Sequence, residues 1–132
     1  MKEPLELMLF LIALMFVVVF ICRLWSVKAG VVKLDYYELA DGKTEPQYVA
    51  KASNNLNNLF QLPPIFIAAC IVSICLPYTS DQLIFNAWGF VIARFVHTLV
   101  HITFNWLLVR SAVFSIGVYF LVAIWIEILS KI

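Results

Sequence analysis

Four long apolar runs constrain the fold of this 132-residue chain more than any other feature of its sequence. They occupy residues 5–22, 56–76, 83–108 and 112–129 and leave one long polar loop between the first two. Each run is close to the roughly 20 residues that a helix needs to cross a hydrocarbon core. The hydrophobic fraction of 64% exceeds the value of about 45–50% that is usual for soluble domains. Since the runs lack the alternation of barrel strands, helices are the spanning elements that lipid allows.

The predicted fold class is therefore an all-α integral membrane protein, a four-transmembrane-helix bundle that forms a single domain over residues 1–132. The helices are predicted over about 4–26, 45–76, 82–108 and 110–130, with a loop at 27–44. The first run has no small-residue cleavage site, and basic residues follow it. It is therefore predicted to be a retained helix and not a removed signal peptide.

The distribution of basic residues predicts the orientation in the membrane. Five of the nine Lys and Arg residues lie between positions 23 and 51, and Arg110 lies in the third connection. Because Lys and Arg are enriched in cytoplasmic loops, the first and third loops are predicted to be cytoplasmic and both termini to lie on the other side. The net charge of +1, without a basic stretch interleaved with aromatic residues, gives no indication of nucleic-acid binding.

The three cysteines, Cys22, Cys70 and Cys75, all lie in apolar runs. Their odd number argues against a disulfide framework, and their spacing matches no metal site. They are predicted to be small buried apolar side chains, and no metal ligands are assigned.

The second predicted helix begins with capping residues and then carries a polar face. Thr44 is predicted to cap it, Gln47 to complete the capping box, and Pro46 to lie in its first turn. Pro63 and Pro64 are predicted to bend the helix inside the membrane. On a helical wheel one arc of about 120° holds a cation and four amides, namely Lys51, Asn54, Asn55, Asn58 and Gln61. Such amides also suit bonds to lipid headgroups or to neighbouring helices, which leaves a purely structural interpretation open.

The third predicted helix carries a second polar stripe. Arg94, His97, His101 and Asn105 follow one another at helical spacing within an arc of about 80°. A charged side chain at the centre of a bilayer is costly, so Arg94 is predicted to face other helices, a water-filled cleft or a ligand. The histidines also suit a plain core role with bonds between helices.

The two polar faces are predicted to meet, because the second and third helices run antiparallel. In this prediction Asn105 lies level with Asn57 and Asn58, and His101 lies level with Gln61. The resulting cleft opens towards the cytoplasm, with Arg110 and then Ser111 at its mouth. It offers donors and positive charge but almost no carboxylate, which favours a small anionic ligand.

These residues resemble a known family, the membrane-associated proteins in eicosanoid and glutathione metabolism (MAPEG), which include microsomal glutathione transferases, leukotriene C4 synthase and prostaglandin E synthase. The resemblance covers the whole chain. Its most specific parts are Arg94-x-x-His97-Thr98 in the third helix and Arg110-Ser111 at the start of the fourth. It implies a homotrimer that binds glutathione as co-substrate between its subunits. It also implies a catalytic role for Arg110, which stabilises the thiolate, with Ser111 beside it.

The resemblance further implies the positions of the glutathione ligands. The matching residues are Lys51, Asn55, Asn58, His97 and His101, and Arg23 corresponds to a basic residue at the end of the first helix. The two polar faces add Asn54, Gln61 and Arg94 to the candidate ligands. The implied function is a glutathione-dependent transferase or peroxidase that acts on small lipophilic electrophiles drawn from the lipid bilayer. The implied location, as a multi-pass protein, is the bacterial inner membrane.

Three positions depart from the family pattern and keep other functions open. Asn58 stands where the family has glutamate, His101 where tyrosine is common, and Phe114 where several members have tyrosine. These changes favour the alternative of a non-catalytic membrane subunit or scaffold that keeps the family fold. A third possibility is a haem or metal protein that uses His97 and His101, since imidazoles at i and i+4 can share a metal.

Overall fold

The computed structural model of this protein describes residues 1–39, 45–76 and 78–132, and the elements within them are all α-helical. The elements in chain order are α1 (Lys2–Lys28), α2 (Leu34–Leu39), α3 (Gln47–Leu59), α4 (Pro63–Cys75), α5 (Asp81–Ile102) and α6 (Leu107–Leu129). Four helical spans are long and apolar enough to cross a membrane, with α3 and α4 together forming the second. The chain is therefore a multi-pass membrane protein with an all-helical fold, which confirms the predicted fold class.

The second predicted helix, 45–76, is interrupted and not merely bent. It divides at residues 60–62, and Pro63 and Pro64 occupy the first two positions of α4. Two adjacent prolines lack amide donors and clash with the preceding turn, so they suit the start of a helix and not its interior. Pro46 occupies the N-cap position of α3, and no side chain among the described residues caps the helix. Thr44 itself lies outside the described residues.

The connections also differ from the predicted boundaries. The third helix ends at Ile102 and not at 108, and the fourth begins at Leu107 and not at 110. Asn105 therefore lies in the turn between them, with a φ of 50°, and does not extend the polar stripe of the third helix. The first helix runs to Lys28, and the loop predicted at 27–44 contains the short helix α2. Cys70 is buried as predicted, whereas Cys22 is half-buried and Cys75 is exposed.

Helix α5 is the most buried of the four spans and forms the centre of the bundle. Its Phe90 ring stacks on Phe66 of α4, with ring centroids 4.5 Å apart. Met8, Leu11 and Met15 contribute one buried stripe of α1 to the same core. The remaining faces of α1 and α6 expose large apolar side chains, as expected for surfaces that contact lipid.

Two hydrogen bonds define the antiparallel register of α3 and α5. Lys51 Nζ donates to the carbonyl oxygen of Thr103 (2.6 Å), and Asn55 Nδ2 donates to Thr98 Oγ1 (3.3 Å). The predicted pairing of His101 with Gln61 is therefore wrong by about two helical turns. The predicted third helix extends six residues beyond Ile102, which accounts for part of this error. In the observed register Lys51 lies near the end of α5, and Gln61 lies much further along the bundle axis, towards the start of α5.

Candidate functional site

A small polar pocket lies where α3, α5 and the first turns of α6 meet. We call it the polar pocket; its volume is about 230 Å³, and its lining residues are Asn58, His97, Arg110, Ser111, Phe114 and Ser115. Four of these six residues were assigned to the site from the sequence. The pocket has one cation, an imidazole, an amide and two hydroxyl groups but no carboxylate among its lining residues. This composition suits an anionic ligand.

Arg110 is the charged group of the polar pocket, and the side chains that contact it carry no negative charge. Its Nη1 donates to Asn105 Oδ1 (2.7 Å) and lies 3.5 Å from His101 Nε2. The residue belongs to the first turn of α6, where backbone amides give a helix a partial positive charge. Among the described residues, no carboxylate lies within 4 Å of its guanidinium. Its charge is therefore available to a bound anion.

The two histidines are buried beside Arg110. The ring centroids of His97 and His101 lie 5.6 Å apart, and the His97 ring lies 6.0 Å from that of Phe114. Of the two, only His97 lines the pocket, whereas His101 lies outside its lining and approaches Arg110. Within the described residues there is no group of three or more His, Cys, Asp or Glu side chains that could hold a metal ion.

The candidate ligands on α3 lie in different surroundings. Asn58 reaches the polar pocket, and its Oδ1 finds no hydrogen-bond partner among the described residues. Asn55 is fully buried one turn earlier, where it binds Thr98. Lys51 lies at the rim and is held by the carbonyl of Thr103. Asn54 is exposed elsewhere on the helix surface, so the amides do not form one lining as predicted.

Arg94 is buried beneath the pocket and does not line it. Its side chain is 0% exposed, and Nη2 donates to the carbonyl oxygen of Phe114 at 3.4 Å. Its Cζ lies 5.3 Å from the Phe90 ring centroid and 4.8 Å from that of Phe114. Gly117 makes room for it, because a Cβ there would lie 2.6 Å from Nη2. Of the surroundings predicted for Arg94, namely other helices, a water-filled cleft or a ligand, the single chain provides other helices.

Arg23 lies in a different cleft, between α1 and α3. This cleft has a volume of about 410 Å³, and Ser53, Asn57 and Phe60 contribute to its lining. Arg23 Nη2 donates to Ser53 Oγ (3.4 Å), and its guanidinium lies 5.4 Å from the Tyr37 ring centroid. A single chain therefore does not bring Arg23 to the polar pocket. Gln61, in the break between α3 and α4, is also exposed and remote from it.

Sequence reasoning missed two contributors to the site. Ser115 lines the pocket one turn after Ser111, and a helical wheel of α6 would have found it. Asn105 was assigned to the stripe of the third helix, whereas its side chain binds Arg110. The sequence signal for a turn at Asn105 was weak, because neither glycine nor proline is present between 103 and 106.

Comparison with known proteins agrees with the resemblance seen in the sequence. The family model described as MAPEG family matches residues 5–130, nearly the whole chain. No curated protein and no solved structure matches the chain. The match covers the membrane spans except the first residues of α1, and it includes every residue of the polar pocket.

Proposed function

Because the chain belongs to the MAPEG family, a family of membrane proteins of glutathione and eicosanoid metabolism, we propose that it is a glutathione-dependent transferase or peroxidase for lipophilic electrophiles. The observation that carries this proposal is the convergence of Asn58, His97, Arg110 and Ser111 in one pocket without a carboxylate. Glutathione presents carboxylates, amides and a thiol, which match the cation, the amide and the hydroxyl groups of this pocket. Asn58 Oδ1, unpartnered among the described residues, suits an N–H donor of the tripeptide.

Arg110 and Ser111 are the groups proposed to act on the thiol. A thiol is a weak nucleophile until it loses its proton, and a nearby guanidinium lowers its pKa. The guanidinium of Arg110 and the N-terminus of α6 both favour a negative sulfur, and the Ser111 hydroxyl can donate a hydrogen bond to it. The proton leaves to water. The thiolate then forms a carbon–sulfur bond with the electrophile, and the displaced group leaves with its bonding electron pair.

A peroxide would be reduced by two glutathione molecules at the same place. The first thiolate attacks one peroxide oxygen, the O–O bond breaks, and the alkoxide takes up a proton to leave as an alcohol. The second thiol attacks the sulfur of the resulting sulfenic acid, which yields glutathione disulfide and water. The lipophilic partner in either reaction reaches the pocket from the bilayer.

The size of the pocket supports a site completed by a second copy of the chain. A volume of about 230 Å³ is below the range of roughly 300–1,000 Å³ that ligand pockets usually have. One chain therefore encloses only part of a tripeptide. Arg23, which lies away from the polar pocket of its own chain, is then available to the pocket of a neighbour in the proposed homotrimer.

Exposed amides at membrane depth also support the homotrimer. Asn54, Asn57 and Gln61 are exposed on the surface of the single chain. Lys51 pairs with Thr103 at the end of α5, so Gln61 lies about 15 Å deeper, near the middle of a hydrocarbon core about 30 Å thick. At the helix break the N–H groups of Phe60 and Gln61 donate to carbonyls only three residues earlier, and lipid tolerates irregular backbone only where protein or water covers it.

The proposed orientation places the polar pocket on the cytoplasmic side, where glutathione is abundant in bacteria that make it. Five of the nine basic residues lie between positions 23 and 51. Among the described ones, Arg23 and Lys51 bind Ser53 and Thr103 at the same end of the bundle as the pocket. The positive charge of this end favours its retention in the cytoplasm. The bacterial inner membrane remains the proposed location.

A second function is favoured by two residues of the pocket itself. Phe114 supplies an apolar ring to the lining where several family members have tyrosine, and Asn58 supplies a neutral amide where the family has glutamate. Phe114 cannot donate a phenolic proton, and Asn58 cannot form an ion pair with the ammonium group of glutathione. A non-catalytic subunit that keeps the fold would retain the assembly and lack turnover.

Calorimetry with the full-length protein in lipid nanodiscs distinguishes the two functions. The transferase or peroxidase proposal expects glutathione to bind and to be consumed with a lipophilic electrophile or hydroperoxide. Arg110→Ala should abolish consumption, while Cys75→Ala, an exposed change remote from the pocket, should leave it unchanged. Binding without consumption would support the non-catalytic alternative, and absence of binding would contradict the enzymatic one.

A further inference from the structure

Asn105 has a left-handed backbone conformation, which the turn after α5 could obtain equally well from glycine. It is the only non-glycine residue with a positive φ among the described residues, at 50°. Its own backbone N–H donates to the carbonyl of Val100 (2.8 Å), which closes the end of α5 without help from the side chain. Glycine adopts this left-handed conformation at the least cost, and asparagine is one of the few other residues that tolerate it. The turn would therefore form with glycine, and the asparagine side chain needs another explanation.

The side chain of Asn105 binds the charged group of the polar pocket. Its Oδ1 accepts from Arg110 Nη1 at 2.7 Å, a distance typical of a charge-assisted hydrogen bond. The same nitrogen lies 3.5 Å from His101 Nε2. Neither partner of Arg110 carries a negative charge, because an amide is neutral and an imidazole is neutral or positive. The guanidinium is thus held in place while its positive charge stays uncompensated.

The chemistry of the acceptor decides what Arg110 can do. A carboxylate at position 105 would hold the guanidinium more strongly but would also cancel its charge and repel an incoming anion. A residue with no acceptor would leave a long, flexible side chain free to leave the pocket. An amide avoids both outcomes, because it fixes the geometry and leaves the charge for the ligand.

We propose that Asn105 is a positioning residue that holds Arg110 over the polar pocket as an uncompensated anion receptor. Where that anion is the thiolate of glutathione, this inference rests on the proposed function. Asn105 acts through Arg110 and does not itself contact the ligand. Its left-handed backbone aims the side chain back across the turn at α6.

Two substitutions separate this role from a purely structural one. Asn105→Gly keeps the left-handed turn at lower strain and removes the acceptor. Asn105→Asp keeps an acceptor of the same shape and adds the charge that the proposal says must be absent. Both variants keep the backbone of the turn, so a purely structural role of Asn105 would be little affected. Both proteins should therefore fold, and the melting temperature of each in detergent verifies this.

The first measurement needs no glutathione. Phenylglyoxal modifies arginine, and mass spectrometry follows the modification of Arg110 with Arg23 of the same molecules as internal control. Releasing a charge-assisted hydrogen bond should speed the modification of Arg110 by about threefold or more in Asn105→Gly, and the new ion pair should slow it in Asn105→Asp. Equal rates in the wild-type protein and both variants would overturn the inference, whatever the protein does with glutathione.

The second measurement compares glutathione sulfonate, which carries a permanent negative charge at the sulfur, with S-methylglutathione, which carries none there. The wild-type protein should prefer the sulfonate, and either substitution should reduce the preference by about tenfold, through lost positioning or through added charge. An unchanged preference in both variants would overturn the inference. If the wild-type protein binds neither compound, the proposed function fails, and the phenylglyoxal rates still decide the role of Asn105.

Discussion

Gly117→Ala tests the packing that places Arg94 inside the bundle. The added Cβ would lie 2.6 Å from Arg94 Nη2, 3.2 Å from Nε and 3.3 Å from Cζ. Arg94 is fully buried between the rings of Phe90 and Phe114, so its guanidinium has little room to move. Overpacking costs about 1–3 kcal/mol, and each displaced ring contact about 0.5–2 kcal/mol, whereas alanine gains about 1 kcal/mol of helix propensity. With one of the two ring contacts displaced, we expect the free energy of unfolding to fall by about 2 kcal/mol on this balance.

Gly89→Ala provides a control with the same closest contact distance and a different neighbour. Its Cβ would lie 2.6–2.7 Å from three atoms of the Phe120 ring. That ring, unlike Arg94, lines an apolar groove of about 420 Å³ between α5 and α6 and can turn into it. The same gain in helix propensity should then nearly offset the smaller cost, and we expect a change within about 1 kcal/mol of the wild type.

Equilibrium unfolding in mixed micelles, followed by circular dichroism, measures both changes. Introducing Gly117→Ala into an Arg94→Met background supplies a double-mutant cycle, because the substitution should cost less once the guanidinium is gone. If Gly117→Ala is neutral or stabilising, or if its cost is the same with and without Arg94, the argument from the 2.6 Å contact is refuted.

Three further predictions concern the rim, the assembly and the orientation. Lys51→Ala should weaken glutathione binding and its dependence on salt while the rate of the bound thiol changes little, as calorimetry at two ionic strengths and single-turnover kinetics would show; an unchanged salt dependence would contradict this. Gln61→Leu should shift the oligomer towards monomers in mild detergent on light scattering, whereas a side chain that faces lipid would make leucine neutral or stabilising. A cysteine at Lys33, with Cys22, Cys70 and Cys75 replaced, should be labelled from the cytoplasmic side only. Labelling from outside intact cells would reverse the proposed orientation.

The spans and the chemistry of the pocket could be predicted because both depend on local sequence. Apolar runs of about 20 residues identify membrane helices with little reference to the rest of the fold. The stripe of Arg94 and His97 follows from helical periodicity, which fixes angles within one helix. The residues of the Arg110-Ser111 pair needed the family resemblance for their role, since their spacing alone indicates no chemistry.

The helix ends and the register between helices could not be predicted in the same way. The end of α5 at Ile102 depends on the left-handed conformation of Asn105. Asparagine tolerates this conformation, but its presence in a sequence does not predict it. The bonds of Lys51 to Thr103 and of Asn55 to Thr98 set a pairing with α3 in which Asn58 and not Gln61 reaches the pocket. The burial of Arg94 depends on Gly117 of another helix, and periodicity contains no information about such contacts.

The spectrum of bound glutathione tests the central claim that Arg110 and the start of α6 activate a thiol in the polar pocket. The wild-type protein in nanodiscs, titrated with glutathione near neutral pH, should develop the ultraviolet absorbance of a thiolate in proportion to the occupied sites. Arg110→Ala should still bind the tripeptide through its other contacts but lose this absorbance, because the positive charge beside the sulfur is gone. Occupied sites without thiolate absorbance in the wild type, or equal absorbance in Arg110→Ala, would contradict the account.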